Sequence, residues 1–175
     1  GSTLKPLTYL AALRKGLQPN TLVMDEPITL PPIGATVSAR QRDFWSPKNY
    51  DGGASGAITL RRALENSRNL ATAQLLATGL DDSAERGLDR VCELAMEAQL
   101  YKECMRYYPF VLGAQAVRLI DLAAFYAAIA NEGARPQPHA IETIEQDGRP
   151  IYQVDPHAAS WIGFADRASF YQLKS

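Results

Sequence analysis

The stretch GSTLKPLTYLAAL, Gly1 to Leu13, carries apolar residues at Leu4, Leu7, Leu10, Ala11 and Leu13, a helical spacing. Pro6 is tolerated only near a helix start, which sets the N-terminus here, and Ser2 or Thr3 is suited to cap it. Residues three apart share a helix face, so the Ser2 hydroxyl and the Lys5 amine are placed to meet. Serine is a weak nucleophile until a neighbouring base takes its proton. A lysine with the ordinary pKa of about 10.4 is neutral only about 0.04% of the time at pH 7. To act as that base, Lys5 needs a pKa near 7, a bias of about 4 kcal/mol that burial or nearby positive charge can supply. The positive end of the helix dipole favours both an alkoxide at Ser2 and a neutral Lys5. The plainer reading of S-x-x-K is a capped, solvated helix start, and this motif by itself leaves both open.

Working outward, Thr59 to Leu76 (TLRRALENSRNLATAQLL) reads as two helical pieces meeting at Ser67-Arg68-Asn69. Serine and asparagine favour breaks and caps over helix interiors. Ser67 then offers a second hydroxyl for proton shuttling, and Asn69 an amide able to hold a peptide group. An ordinary Ser/Asn connection between helices is the competing reading.

S-x-x-K at Ser2 and Lys5, followed by S-x-N at Ser67 and Asn69, resembles the signature of penicillin-binding proteins and serine β-lactamases. The stretches GSTLKPLTYLAAL, LVMDEPITLP, WSPKNYDGGASGAITLRRALENSRNLATAQLL and VRLIDLAAFYAAIANEGARPQPHAIETIEQDGRPIY narrow the resemblance. In order and spacing, to about Tyr152, they are similar to the transpeptidase domain of bifunctional (class A) penicillin-binding proteins. The resemblance implies an α+β fold, represented here mostly by its helical subdomain with a short β-hairpin near the C-terminus. It implies a peptidoglycan D,D-transpeptidase that cross-links stem peptides through a serine acyl-enzyme and is acylated by β-lactam antibiotics. In that scheme Ser2 is the nucleophile, Lys5 its base, Ser67 a proton relay, and Asn69 the binder of the acyl donor's amide. No cofactor or metal is implied. Relatives of this class are anchored by an N-terminal transmembrane helix and work at the extracytoplasmic, periplasmic face of the cytoplasmic membrane.

The family's third motif, Lys-Thr/Ser-Gly on a strand, is not found in these residues; the last lysine is Lys174, before Ser175. The 175 residues therefore read as a partial transpeptidase domain, weakly active or inactive alone. Gly1-Ser2 matches both the family and a common cloning scar, which leaves the origin of Ser2 open. A β-lactam-hydrolysing or sensing relative and a non-catalytic peptide-binding helical domain are the alternatives.

Composition adds exclusions. A net charge of −1 gives no electrostatic case for nucleic acid or an anionic membrane. Cys92 and Cys104 are too few for a metal motif, and neither His139 nor His157 shares ligand spacing with them. Cys92 reads as a small buried thiol; a bond to Cys104 is permitted by an extracytoplasmic site but is not the default.

Residues 25–56, with Pro27, Pro31, Pro32 and Pro47, read as one long loop too broken for regular structure. Its Phe44, Trp45 and Tyr50 either pin it over a groove beside Ser2 or pack on the helices beneath. Helices are expected at about 59–66, 69–79, 83–98 and 115–131, the last a buried scaffold helix from its broad apolar stripe. Arg106 to Phe110 reads as a connector packed on the core, with presentation of its aromatics to a peptide substrate as the alternative. A hairpin signal at 137–154 turns on Asp147-Gly148, and a last helix runs from Ala165 to Lys174.

Overall fold

The chain from Ser2 forms one 3-10 turn, Ser2–Leu4, that runs directly into helix α1, Lys5–Arg14. In the computed structural model, which describes residues 1–34, 40, 43–163 and 166–175, α1 is the central strut. Its Leu7 and Leu10 are fully buried and Pro6 occupies the first helical turn. Neither Ser2 nor Thr3 caps the helix: no side-chain cap bond is made, because the entry tightens into a 3-10 turn closed by Leu4 N–H to Gly1 O at 3.0 Å. That correction leaves the Ser2 hydroxyl uncommitted.

Strand β1, Leu22–Asp25, pairs antiparallel with β2, Gly56–Thr59, from Leu22 opposite Thr59 to Asp25 opposite Gly56. The long polar stretch is thus a connection clipped at both ends, with a further bridge between Leu30 and Trp45. Trp45 packs its ring on Tyr108 at 5.9 Å, whereas Tyr50 is fully exposed. Residues 35–39 and 41–42 of the expected loop lie outside the described residues.

Helix α2, Leu60–Glu65, starts at Thr59, whose hydroxyl accepts the Arg62 N–H at 3.2 Å. Helix α3, Asn69–Gln74, continues into a π-turn, Leu75–Gly79, and α4, Ala84–Glu97, begins at the Ser83 cap. Gly87 lets α4 approach this turn, since a Cβ there would sit 2.7 Å from the Leu76 carbonyl oxygen. The Tyr108–Leu112 connector forms a buried 3-10 turn ending at Gly113.

Helix α5, Leu119–Ala130, buries Ala124, Phe125 and Ala128 on one face. Its other face is open, with Leu119 80% and Ile120 54% exposed, so the expectation of a wholly buried scaffold helix does not hold. The apolar stripe is broader than the surface the neighbouring elements cover. Strand β3, Ala134–Pro136, pairs with β6, Ala159–Trp161, and β4, Thr143–Gln146, pairs with β5, Arg149–Gln153. Helix α6, Arg167–Lys174, returns to α1, placing the fully buried Phe170 in the common core; Ala165, where a helix start was expected, is outside the described residues.

Cys92 and Cys104 form a disulfide with Cα atoms 5.5 Å apart, correcting the reading of Cys92 as a free thiol. The Cys104 segment folds back across α4 from 12 residues downstream, a juxtaposition that helix periodicity does not report.

Candidate active site

The site is built where α2 stops. Asn66 ends the helix, Ser67 turns left-handed at φ 52°, Arg68 is extended, and Asn69 starts α3. A left-handed conformation costs a non-glycine residue about 1–2 kcal/mol, so the bend persists only while its surroundings hold it. The bend turns the Ser67 carbonyl, the Ser67 hydroxyl and the Asn69 carboxamide toward the first turn of α1.

Lys5 meets all three. Its ammonium donates to Ser67 O at 2.6 Å, Ser67 Oγ at 2.9 Å and Asn69 Oδ1 at 2.6 Å. The residue is only 1% exposed, and burial lowers its pKa from 10.5 to about 8. At pH 7 about a tenth of such a lysine is neutral, against about 0.04% for one in water. Tyr9, one turn further along α1, reaches the same bend: its hydroxyl lies 3.2 Å from Thr72 Oγ1, which donates to Arg68 O at 2.8 Å.

Ser2 is exposed on the turn above, and with Ser67, Asn69, Asn49, Tyr50 and Asp51 it lines an open cleft of about 430 Å³. Lys5 lies beneath that cleft rather than in it. The structure therefore brings Ser2, Lys5, Ser67 and Asn69 together, but the lysine bonds to the bend and not to Ser2 Oγ. Among the described residues the Ser2 hydroxyl has no hydrogen-bond partner.

The turn bearing Ser2 is itself backed. Gly113, at φ 82°, accepts a 2.6 Å bond from the Gly1 nitrogen, and a Cβ at this position would overlap the Gly1 carbonyl. Tyr126 Oη donates to Thr3 O at 2.8 Å. Sequence reasoning missed Asp25, Asn49, Arg68 and Gly113. Three of them lie in stretches quoted for the family resemblance, yet no residue chemistry there singled them out.

Comparison with known proteins gives the family. The family model "Penicillin binding protein transpeptidase domain" matches residues 1–162. The chain belongs to that family. Penicillin-binding protein 1A of Rickettsia conorii is 36% identical over 156 residues, covering 89% of this chain and 18% of that protein. The crystal structure of penicillin-binding protein 1A from Haemophilus influenzae superposes with a TM-score of 0.74 at 26% identity, covering 89% of this chain and 22% of that one. Penicillin-binding protein A from Mycobacterium tuberculosis, in an imipenem acyl-enzyme complex, shares the fold with a TM-score of 0.73 at 21% identity, over 99% of this chain and 41% of that one. This transpeptidase-family chain thus spans about a fifth of the length of the curated relative it matches. Its α+β architecture, helical with short antiparallel strands, is that of penicillin-binding transpeptidase domains.

Proposed function

We propose that the chain carries the nucleophile half of a peptidoglycan D,D-transpeptidase active site, working through an acyl-enzyme on Ser2. The observation that carries this reading is the buried Lys5, bonded to Ser67 and Asn69 directly under the cleft that Ser2 lines. Ser2 Oγ attacks the carbonyl carbon between two D-alanines while neutral Lys5 takes its proton. The tetrahedral oxyanion forms beside the Ser2 N–H, at a helix start where N–H groups have no intrahelical acceptor. As the C–N bond breaks, the Ser67 hydroxyl passes its proton to the leaving amine and takes one in turn from the Lys5 ammonium, and the terminal D-alanine departs. An amine of a neighbouring strand then attacks the Ser2 ester, forming the cross-link and returning the proton to the serine.

Asn69 is partly engaged already, Oδ1 by Lys5 and Nδ2 by Lys48 O at 2.7 Å. Each of these atoms keeps a second bonding position for the amide of the acyl donor. β-Lactams enter as mimics of the D-alanyl dipeptide, in keeping with the imipenem acyl-enzyme of the Mycobacterium relative. The Cys92–Cys104 disulfide supports work in an oxidising compartment, hence at the extracytoplasmic face of the membrane. No cofactor or metal enters the scheme.

The test is covalent labelling. A fluorescent penicillin added to the full-length protein should give a stable adduct that peptide mass spectrometry places on Ser2, absent in Ser2→Ala and at least about a hundredfold slower in Lys5→Ala. Without the second oxyanion donor of a Lys-Thr/Ser-Gly strand, the 175-residue chain alone should label on the order of 10²–10³ more slowly. An adduct that hydrolyses within minutes would mark a β-lactam-hydrolysing relative, and labelling elsewhere would remove Ser2 as nucleophile.

A further inference from the structure

The bend that receives Lys5 is held by more than its own helices, in which Ser67 N–H and Arg68 N–H close on Leu64 O and Ala63 O at 2.9 Å. Helix α3 begins without a side-chain cap from its own N-cap residue, Arg68. Its first N–H groups go instead to Asn49, 20 residues earlier, whose Oδ1 accepts from Asn69 N at 2.7 Å and Leu70 N at 3.1 Å. The Asn49 amide is oriented in turn, since Nδ2 donates to Asp25 Oδ1 at 2.9 Å and to Gly53 O at 2.8 Å. Asp25 also takes the middle residue of the bend: Arg68 reaches Asp25 Oδ2 through Nε at 2.8 Å and through its second guanidinium nitrogen at 2.7 Å. The same guanidinium bonds Asp51 at 2.7 Å and Gly53 O at 3.1 Å.

Asp25 has no exposed surface. Burial opposes its ionisation, but the bonds from Arg68 and Asn49 outweigh that and keep its pKa below the ordinary aspartate value. A buried charge with this many donors is costly to place and strongly destabilising to orphan, so it fixes the atoms around it. Residues on either side of Arg68 supply every acceptor of Lys5, and one of them, Ser67, is left-handed. The left-handed Ser67 is thus supported from two sides, by the closing turn of α2 and by this network.

We propose that Asp25 and Asn49 are positioning residues for the acyl-transfer site, acting through Arg68 and the Asn69 N–H to hold the Ser67–Asn69 bend against Lys5. The proposal deepens, and rests on, the reading of Ser2 and Lys5 as nucleophile and base. Neither residue touches the reacting atoms. Their loss is expected to slow chemistry at Ser2 beyond any loss of stability, which separates them from an ordinary core residue such as Val23.

The experiment measures the acylation rate constant of the full-length protein at saturating fluorescent penicillin, by stopped flow, for Asp25→Asn, Asn49→Ala and the comparison variant Val23→Ala. Val23 shares β1 and faces the core, 9% exposed, outside the polar network. All are assayed well below their melting temperatures. Asp25→Asn and Asn49→Ala should acylate tenfold to a hundredfold more slowly, and Val23→Ala within about twofold of the parent, as expected when a displaced bend misplaces the base. Asn49→Ala leaves the Asp25–Arg68 pair intact and decides the matter alone if Asp25→Asn does not fold. A second readout is the titration of Lys5, followed by NMR of ¹³Cε-lysine: Asn49→Ala should move its midpoint upward as water reaches Nζ, and Val23→Ala should not. Parental acylation and an unmoved midpoint in Asn49→Ala overturn the proposal, as does a Val23→Ala defect equal to that of Asn49→Ala. Unlabelled Ser2 in the parent protein would instead sink the acyl-enzyme reading, leaving the Lys5 titration to judge the network.

Discussion

Lys5 joins sequence, energetics and chemistry in one side chain. Its pKa of about 8 means that the folded protein gives up this proton before the unfolded chain does. Between about pH 8 and 10.4 the unfolded chain holds more protons, so stability rises with pH across that window, by about 3 kcal/mol. Tyr9 sets the upper limit. Burial raises its pKa to about 12, so above about pH 10 the unfolded tyrosine ionises first and stability falls again. Urea unfolding from pH 7.5 to 11 should show a maximum near pH 10, and Lys5→Met should abolish the rising limb; a rising limb that survives in that variant refutes the assignment. At this scale the motif spelled out Ser2, Lys5, Ser67 and Asn69, because the chemistry demands those residue types at short spacings. Asn49 and Asp25 were illegible for the opposite reason. Each is a single polar residue in an aperiodic stretch, and its partner lies 20 residues away for Asn49 and 43 for Asp25. Only the fold makes neighbours of them.

At the scale of elements, helices with caps and strong periodicity were readable: α4 lies between its Ser83 cap and Ala98, close to the expected 83–98. The paired strands β1 and β2 were not, since four residues each, reading LVMD and GAIT, are too short to display alternation. The apolar girth of α5 was visible, but how much of it neighbours would cover was not, because hydrophobicity does not name its partner. The turn bearing Ser2 depends on the tight junction at Gly113. Gly113→Ala should destabilise by about 1–3 kcal/mol and slow Ser2 labelling, since the added Cβ overlaps the Gly1 carbonyl and the positive φ is strained for alanine. Urea denaturation with penicillin labelling measures both; parental values in each would show that the turn does not lean on this glycine. The disulfide makes a separate prediction. Closing a loop of 12 residues should contribute about 3 kcal/mol, read as a lower unfolding midpoint of the parent in reductant, whereas the midpoint of a Cys92→Ala/Cys104→Ala double variant should start lower and not respond to reductant.

Across the whole molecule, α1 is the helix on which elements from both ends of the chain converge. It touches the first 3-10 turn, α2, α3, α4, the Tyr108–Leu112 turn and α6. Arg14 at its far end pairs with Glu97 at 3.1 Å and Asp166 at 3.2 Å, and Glu97 also receives the Gly163 N–H. Mixed helical and strand composition was legible from the sequence; this convergence was not, since it depends on contacts across more than 150 residues, such as Gln172 to Gln18. The order of synthesis gives the convergence a temporal meaning. Among the described residues, the helix holding Ser2 and Lys5 is synthesised ahead of the segments that bury its amine. Until those segments arrive the amine stays hydrated, protonated and inert. The depressed pKa of this amine is therefore acquired by folding, when the Ser67–Asn69 bend closes over it, and is not a property of the isolated helix.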